Sequence, residues 1–380
     1  EMSDPIPFID LQAQRTRIGD AIDEAIARVL EHGRFILGPE VTAFEEQLAA
    51  ETGVSHVVSC ANGTDALQLG LRALDIGPGD AVFVPAFTFA ATAEIVCLVG
   101  ATPVFVDIER DSYNLDPQSL DGAVAATIAD GALRPAGIIP VDLFGNPANY
   151  PAIQKIADQH DLWIFADAAQ SMGARLDETA AGAYGRMAAT SFFPAKPLGA
   201  YGDGGAILTN DEILAAALRS LRMHGQGRDK YDNVVIGTNS RLDTVQAAIL
   251  IEKLSILRAE IDARQSVAAR YSDALADIAD VPVIADGAIS AWAQYTIRIA
   301  DRDRVQKELK AQGIPTAIYY PNPLPRLTAY TGYPLAPGGI PVSDAVAQEV
   351  ISLPMHPYLD ADTQDRIIDA VRTAAAENAA

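Results

Sequence analysis

The chain has 380 residues, 49% of them hydrophobic, enough for a large core divided between two domains. Its 28 Lys and Arg stand against 50 Asp and Glu, a net charge of -22. Such a surface repels phosphate backbones and anionic lipid, which argues against nucleic-acid or membrane-surface binding.

The opening stretch EMSDPIPFID lacks the basic start and apolar run of a signal peptide. The most apolar stretch, IVCLVGATPVFV, is short and broken by Gly100 and Pro103, so no membrane span is expected. Two cysteines, Cys60 and Cys97, are too few for a disulfide framework and suit a reducing compartment. The expectation is a soluble, cytoplasmic protein.

Ile18, Ile22, Ile26, Val29 and Leu30 fall on one helical face and predict an amphipathic N-terminal helix. It should stop in HGRFILGPE, where Gly33 and Gly38 mark a loop. From about Val54 to Thr209, short apolar strands alternate with helical stretches. The strands are HVVSC, AVFVP, PVFVD, GIIPV, LWIFAD, TSFF and AILT, with helices such as TDALQLGLRAL and YPAIQKIADQH between them. This rhythm predicts an α/β fold, a mostly parallel sheet covered by helices on both faces. Two long helical patterns follow, RLDTVQAAILIEKLSIL and AEIDARQSVAARYSDALADI. A smaller unit comes last, with strand AQYTIRI, helix DRVQKELKAQG, a Pro-rich loop and a terminal helix from about Asp360. The domain division is placed near Ile256, giving 1–255 and 256–380, with the N-terminal helix free to pack on the smaller unit.

Ligands of such sheets sit beyond the carboxyl ends of the strands. In SCANGTDAL, Thr64 opens a helix after a glycine turn, which makes either a phosphate seat or an ordinary N-cap. Phe89 in PAFTFAATA could cover a flat ring or simply fill the core. Asp167 ends the apolar strand of WIFADAAQSMGA, an expensive place for a carboxylate, with Gln170 one turn on. A helix-capping role would also explain that Asp. In TSFFPAKPLGAYGDGGA, Ser191 and Lys196 leave one strand, and the glycines would let a ligand approach the backbone. A desolvated lysine there could form a Schiff base, whereas a snorkelling one would only reach water. Together the four supply a phosphate seat, a ring cover, an acid for a ring nitrogen and an amine. Pyridoxal phosphate needs all of these. A nicotinamide site does not fit, because GDGGA precedes a strand. Nor is a metal site evident, since His32, His56, His160, His224 and His356 lack ligand spacing.

With these motifs the chain resembles the nucleotide-sugar aminotransferases of the DegT/StrS family. The likeness runs from PFIDLQAQ and GRFILGPEV through GTDAL, PAFTFAATAE, PVFVDI, DAAQSMGA and SFFPAKPLGAYGDGGA. It continues into NSRLDTVQAAIL, GIPTAIYYP and ISLPMHPYL. The resemblance implies a fold-type I pyridoxal-phosphate transferase, an α/β/α sandwich with a smaller C-terminal α+β domain. It makes Lys196 the Schiff-base lysine and Asp167 the partner of the pyridine nitrogen. Gln170 would lie by the ring oxygen, Phe89 on the ring, and Gly63, Thr64 and Ser191 at the phosphate. It further implies a homodimer with shared sites, Asn239 reaching the partner's phosphate. Arg241, Tyr319 and Tyr320 would face the sugar, also from the partner, while Gly33, Phe35 and Ala195 would lie near it.

Within the family the chain is similar to enzymes that aminate C3 of a UDP-linked 2-acetamido-3-keto-hexuronate, with glutamate as donor. Phe35, Ala195 and Tyr319 depart from that branch, where Tyr, Ser and His are usual. A dTDP-3-keto-6-deoxyhexose is the alternative substrate. Dehydratases of the family carry His in place of the lysine, and a pyridoxal-sensing regulator would need a DNA-binding module.

Overall fold

The computed structural model describes residues 5–229 and 231–376. Helix α1 (Leu11–His32) starts where the Asp10 side chain accepts from Ala13 N, and stops at Gly33, whose φ is 69°. Its packed stripe is Ile22, Ala25 and Val29, while Leu30, expected on that face, is exposed. Helix α2 (Pro39–Thr52) follows at once, opened by a proline in its first turn.

Strands β1 (His56–Cys60), β2 (Asp80–Pro85), β3 (Thr102–Val106), β4 (Arg134–Ile138) and β5 (Trp163–Asp167) then alternate with helices. Those helices are α3 (Gly63–Ala73), α4 (Ala91–Leu98), α5 (Pro117–Asp130) and α6 (Tyr150–His160). After the short β6 (Arg175–Leu176) and β7 (Thr179–Ala180) come β8 (Met187–Ser191), β9 (Gly205–Thr209) and α7 (Glu212–Leu221). The main sheet has seven strands in the order β1-β9-β8-β5-β4-β2-β3. Only β9 runs antiparallel to its neighbours, so the sheet is mostly parallel as expected.

Both faces of this sheet are buried, which is why its strands read as apolar runs and not as alternating ones. Along β2, Phe83 joins a core with α2, α5 and α6, whereas Val82 and Val84 join another with α3, α4 and α7. These are the two helical layers of the sandwich.

The two long helical patterns are one helix, α8 (Thr244–Leu275), 32 residues long and unbroken at Ile256. Leu257 and Ile261 still belong to the sheet's core, while Val267, Tyr271 and Leu275 belong to that of the C-terminal unit. The unit contains the short β10 (Ala288–Ile289), which pairs back to β6, and an antiparallel pair of β11 (Tyr295–Arg298) and β12 (Val350–Leu353). Its helices are α9 (Arg302–Ala311), α10 (Pro341–Glu349) and α11 (Ala361–Ala376). Among the described residues no helix is long and apolar enough to cross a membrane.

Candidate active site

Strand β9 lies between β1 and β8, so both Cys60 and Ser191 sit opposite Gly205. That register brings the start of α3 against the end of β8. A Cβ on Gly63 would fall 2.7 Å from Ser191 Cβ, so only glycine permits this approach. The turn is held on its other side by Ser240, whose Oγ accepts from Ala61 N at 3.1 Å and donates to Asp65 Oδ2 at 2.6 Å. Asn62 Oδ1 caps the helix by accepting from Asp65 N at 2.8 Å. Gly63, Thr64 and Ser191 are thereby gathered at a helix start, where free N–H groups and hydroxyls can seat an anion.

The glycines after the lysine serve a different purpose from the expected one. A Cβ on Gly205 would meet the Asn62 backbone at 2.4 Å, and one on Gly204 would meet Leu242 Cδ1 at 2.9 Å. Protein atoms, not a ligand, take up that space.

Asp167 ends β5 and is 5% exposed. Its Oδ2 accepts from Thr92 Oγ1 at 2.9 Å and its Oδ1 from Ala169 N at 3.2 Å. No helix follows it, so capping does not explain this carboxylate. Burial pushes its pKa up, against the Ala169 N–H, the Thr92 hydroxyl and the charge of Lys196. Thr92 lay unnoticed inside PAFTFAATA, and its signal was a hydroxyl amid small residues one turn after Phe89. Gln170 Oε1 accepts from Phe144 N at 2.6 Å, which leaves the amide nitrogen as the end that can donate to a ligand oxygen.

Lys196 follows β8 in a turn closed by its own N–H to Phe193 O at 2.9 Å. A Cβ on Gly199 would lie 2.4 Å from Pro194 O, a measure of how tight this turn is. The lysine is half-buried, and desolvation pushes its pKa down while the attraction of Asp167 opposes the shift. Strands β5 and β8 pair in parallel, Asp167 opposite Ala189, which is why amine and acid emerge at one edge.

Phe89 is 57% exposed, and its ring lies 6.4 Å from that of Tyr320 at a 40° tilt. Tyr320 also packs edge-on to Phe87 at 5.9 Å and to Tyr319 at 5.8 Å. The expectation that Tyr320 comes from a partner is therefore corrected, because it stands beside Phe87, Phe89 and Gln170 of its own chain. A second group gathers at the start of α8. Thr244 N donates to Phe35 O at 3.0 Å, Ile36 bridges to Asp243, and Arg241 Nη1 lies 3.9 Å from Met223 Sδ. Phe35 and Asn239 are exposed, Gly33 ends α1, and Ala195 is half-buried beside the lysine.

The first group fits pyridoxal phosphate. A cradle that one Cβ would fill suits the phosphate, and Phe89 leaves a ring face open. Each Asp167 oxygen takes one protein donor and retains capacity for a ring N–H. The Gln170 amide and the Lys196 amine complete the set. The profile of the DegT/DnrJ/EryC1/StrS aminotransferase family matches residues 16–372. A UDP-2-acetamido-2-deoxy-3-oxo-D-glucuronate aminotransferase of Pseudomonas aeruginosa is 50% identical over 356 residues, 93% of this chain and 96% of that protein. The crystal structure of a DegT DnrJ EryC1 StrS aminotransferase from Brucella abortus has a TM-score of 0.96 at 55% identity, covering 97% and 99% of the two chains. A sugar aminotransferase from Streptococcus pneumoniae in its PMP form has a TM-score of 0.88 at 25% identity, covering 98% of each. The chain belongs to the DegT/DnrJ/EryC1/StrS aminotransferase family, and pyridoxal phosphate is its cofactor.

Proposed function

We propose that this aminotransferase moves an amino group from glutamate to C3 of UDP-2-acetamido-2-deoxy-3-keto-glucuronate, as a cytoplasmic homodimer serving surface polysaccharide or glycan biosynthesis. The observation that carries the chemistry is the desolvated Lys196 amine facing the buried Asp167 across the ends of β8 and β5. The substrate is supported by the name of the Pseudomonas relative.

When bound, pyridoxal phosphate supplies the carbonyl that receives the amino group and a ring that takes up electrons. Gly63, Thr64 and Ser191 anchor its phosphate. Asp167, whose charged form the Thr92 hydroxyl and the Ala169 N–H favour, would hold the proton on the ring nitrogen. Desolvation pushes the Lys196 amine toward its neutral form, so Nζ would take the proton from the donor's Cα and hand it on to the cofactor. The same lysine runs the reverse transfer on the ketosugar. Phe89 covers the ring and Gln170 donates to its oxygen.

The sugar end is read by Arg241, whose guanidinium can hold a C6 carboxylate bidentately, with Gly33, Phe35, Ala195, Tyr319 and Tyr320 around it. Phe35, Ile36, Phe193, Val234 and Ile236 are large, exposed and apolar, which supports a second copy of the chain covering them. Arg241 and Asn239 then serve the neighbour's site.

Incubation with UDP- and dTDP-ketosugars plus glutamate, followed by mass spectrometry, tests the reading. The UDP-3-keto-uronate should be aminated fastest. Amination of a dTDP-3-keto-6-deoxyhexose alone would replace it with the alternative substrate.

A further inference from the structure

Beside the lysine turn lies a cavity of about 10 Å³, walled by Gln14 of α1, Ala195 and Lys196, Arg264 of α8, and His356 and Tyr358 ahead of α11. His356 is 2% exposed, and neither of its ring nitrogens has a partner among the described residues. Gln14 Oε1 is likewise buried and unpartnered, although its Nε2 donates to Glu260 at 3.0 and 3.1 Å. Glu260 is occupied by Gln14 and by the Tyr358 hydroxyl at 2.5 Å. Arg264 spends Nη1 on the Trp292 and Met355 carbonyls, at 2.8 and 3.5 Å.

These groups define what the cavity can take. Its volume suits one water, which needs two to four polar partners. The charged groups facing His356 are Asp10 before α1, Arg264 on α8 and Asp360 ahead of α11. Burial pushes the ring down to about 4, so near neutral pH it offers one N–H donor and one acceptor. A water can accept from one such nitrogen while donating to an amide oxygen.

We propose that this cavity binds one water molecule and that His356, through it, is a positioning residue coupling the C-terminal unit and α1 to the turn that carries Lys196. The water site stands on the cavity's own groups. Its catalytic meaning rests on the reading of Lys196 above. A water there would put a polar group beside the turn that carries the desolvated Lys196 amine, and its loss would then disfavour the charged form.

A high-resolution crystal structure of the holoenzyme should show one solvent peak within about 3 Å of a His356 ring nitrogen and of Gln14 Oε1. A dry cavity, or direct contact between His356 and Gln14, would overturn the proposal. His356→Leu should lower the midpoint of the pH titration of the lysine-linked absorbance band by about half a unit or more, because the charged form loses its polar neighbour. His356→Gln, which keeps a hydrogen-bonding head, should titrate within about 0.2 unit of the parent. Identical titration of all three proteins, or equal shifts in both variants, would reduce His356 to a packing residue. If a borohydride-reduced adduct mapped to another lysine while the solvent peak was present, only the reading of Lys196 would fail.

Discussion

Thr92 Oγ1 donates a 2.9 Å hydrogen bond to Asp167 Oδ2, tying the first turn of α4 to the end of β5. The acid has two protein donors, this hydroxyl and the Ala169 N–H, to set against a burial that favours its neutral form. Those donors favour its charged form against that burial.

Thr92→Val removes one donor at nearly constant volume. The pKa of Asp167, already raised by burial, must rise further, so its ionised range retreats to higher pH. The acid limb of the kcat/KM profile should therefore move to higher pH. A hydrogen bond to a charged group is worth ~1.5–3 kcal/mol, so kcat near neutrality should fall about tenfold or more. Parallel pH–rate profiles decide this, and an unmoved acid limb would contradict it.

Asp167→Ala should reduce turnover far more than cofactor retention, because the Gly63–Thr64–Ser191 seat is untouched. Loss of kcat should exceed about tenfold, a barrier change of ~1.4 kcal/mol. Kinetics alongside a cofactor titration separate the two effects. A smaller loss would remove Asp167 from its role.

Gly63→Ala places a Cβ 2.7 Å from Ser191 Cβ and must push the phosphate seat apart. The cofactor dissociation constant, measured by fluorescence on the apoenzyme, should rise about tenfold, ~1.4 kcal/mol. Adding Ser191→Gly removes the clashing atom but also a hydroxyl, so the double variant should recover part of the loss. Unchanged affinity in the single variant would mean that the phosphate binds elsewhere.

Lys196 and Asp167 stand out in the sequence because each is charged beside an apolar run. Nothing in the sequence separates Phe89 from a core phenylalanine, and only the structure shows it 57% exposed. Most strands of the main sheet were legible because double-sided burial makes them apolar. But β4 begins with the exposed Arg134 and β8 is MAATS, so GIIPV and TSFF mark only their last two residues. What could not be read is non-local. Thr92 is 75 residues from Asp167, and nothing near it announces the contact. Glycines at 204 and 205 suggest room for a ligand, yet β9 inserts between β1 and β8 and fills it with Asn62, Phe192 and Leu242. The placement of Tyr320 beside Phe87 and Phe89 follows from the C-terminal unit folding back on the sheet, which no local pattern encodes.

The reading of Arg241 as a residue of the neighbouring site predicts complementation. Lys196→Ala and Arg241→Ala homodimers should each be nearly inactive. A mixed dimer unites the intact lysine of one chain with the intact arginine of the other, and two-fold symmetry puts both defects in the second site. Random exchange makes about half the dimers mixed, so about a quarter of parental activity should return. Verified mixed dimers with no recovery would place Arg241 in its own subunit's site or outside both.

The central claim is that the amine beside Asp167 holds the cofactor. Borohydride reduction of the holoenzyme, followed by proteolysis and mass mapping, should find the pyridoxyl adduct on the peptide SFFPAKPLGA at Lys196. Lys196→Ala should abolish both the adduct and the lysine-linked absorbance. An adduct on any other lysine of the parent protein would contradict the account.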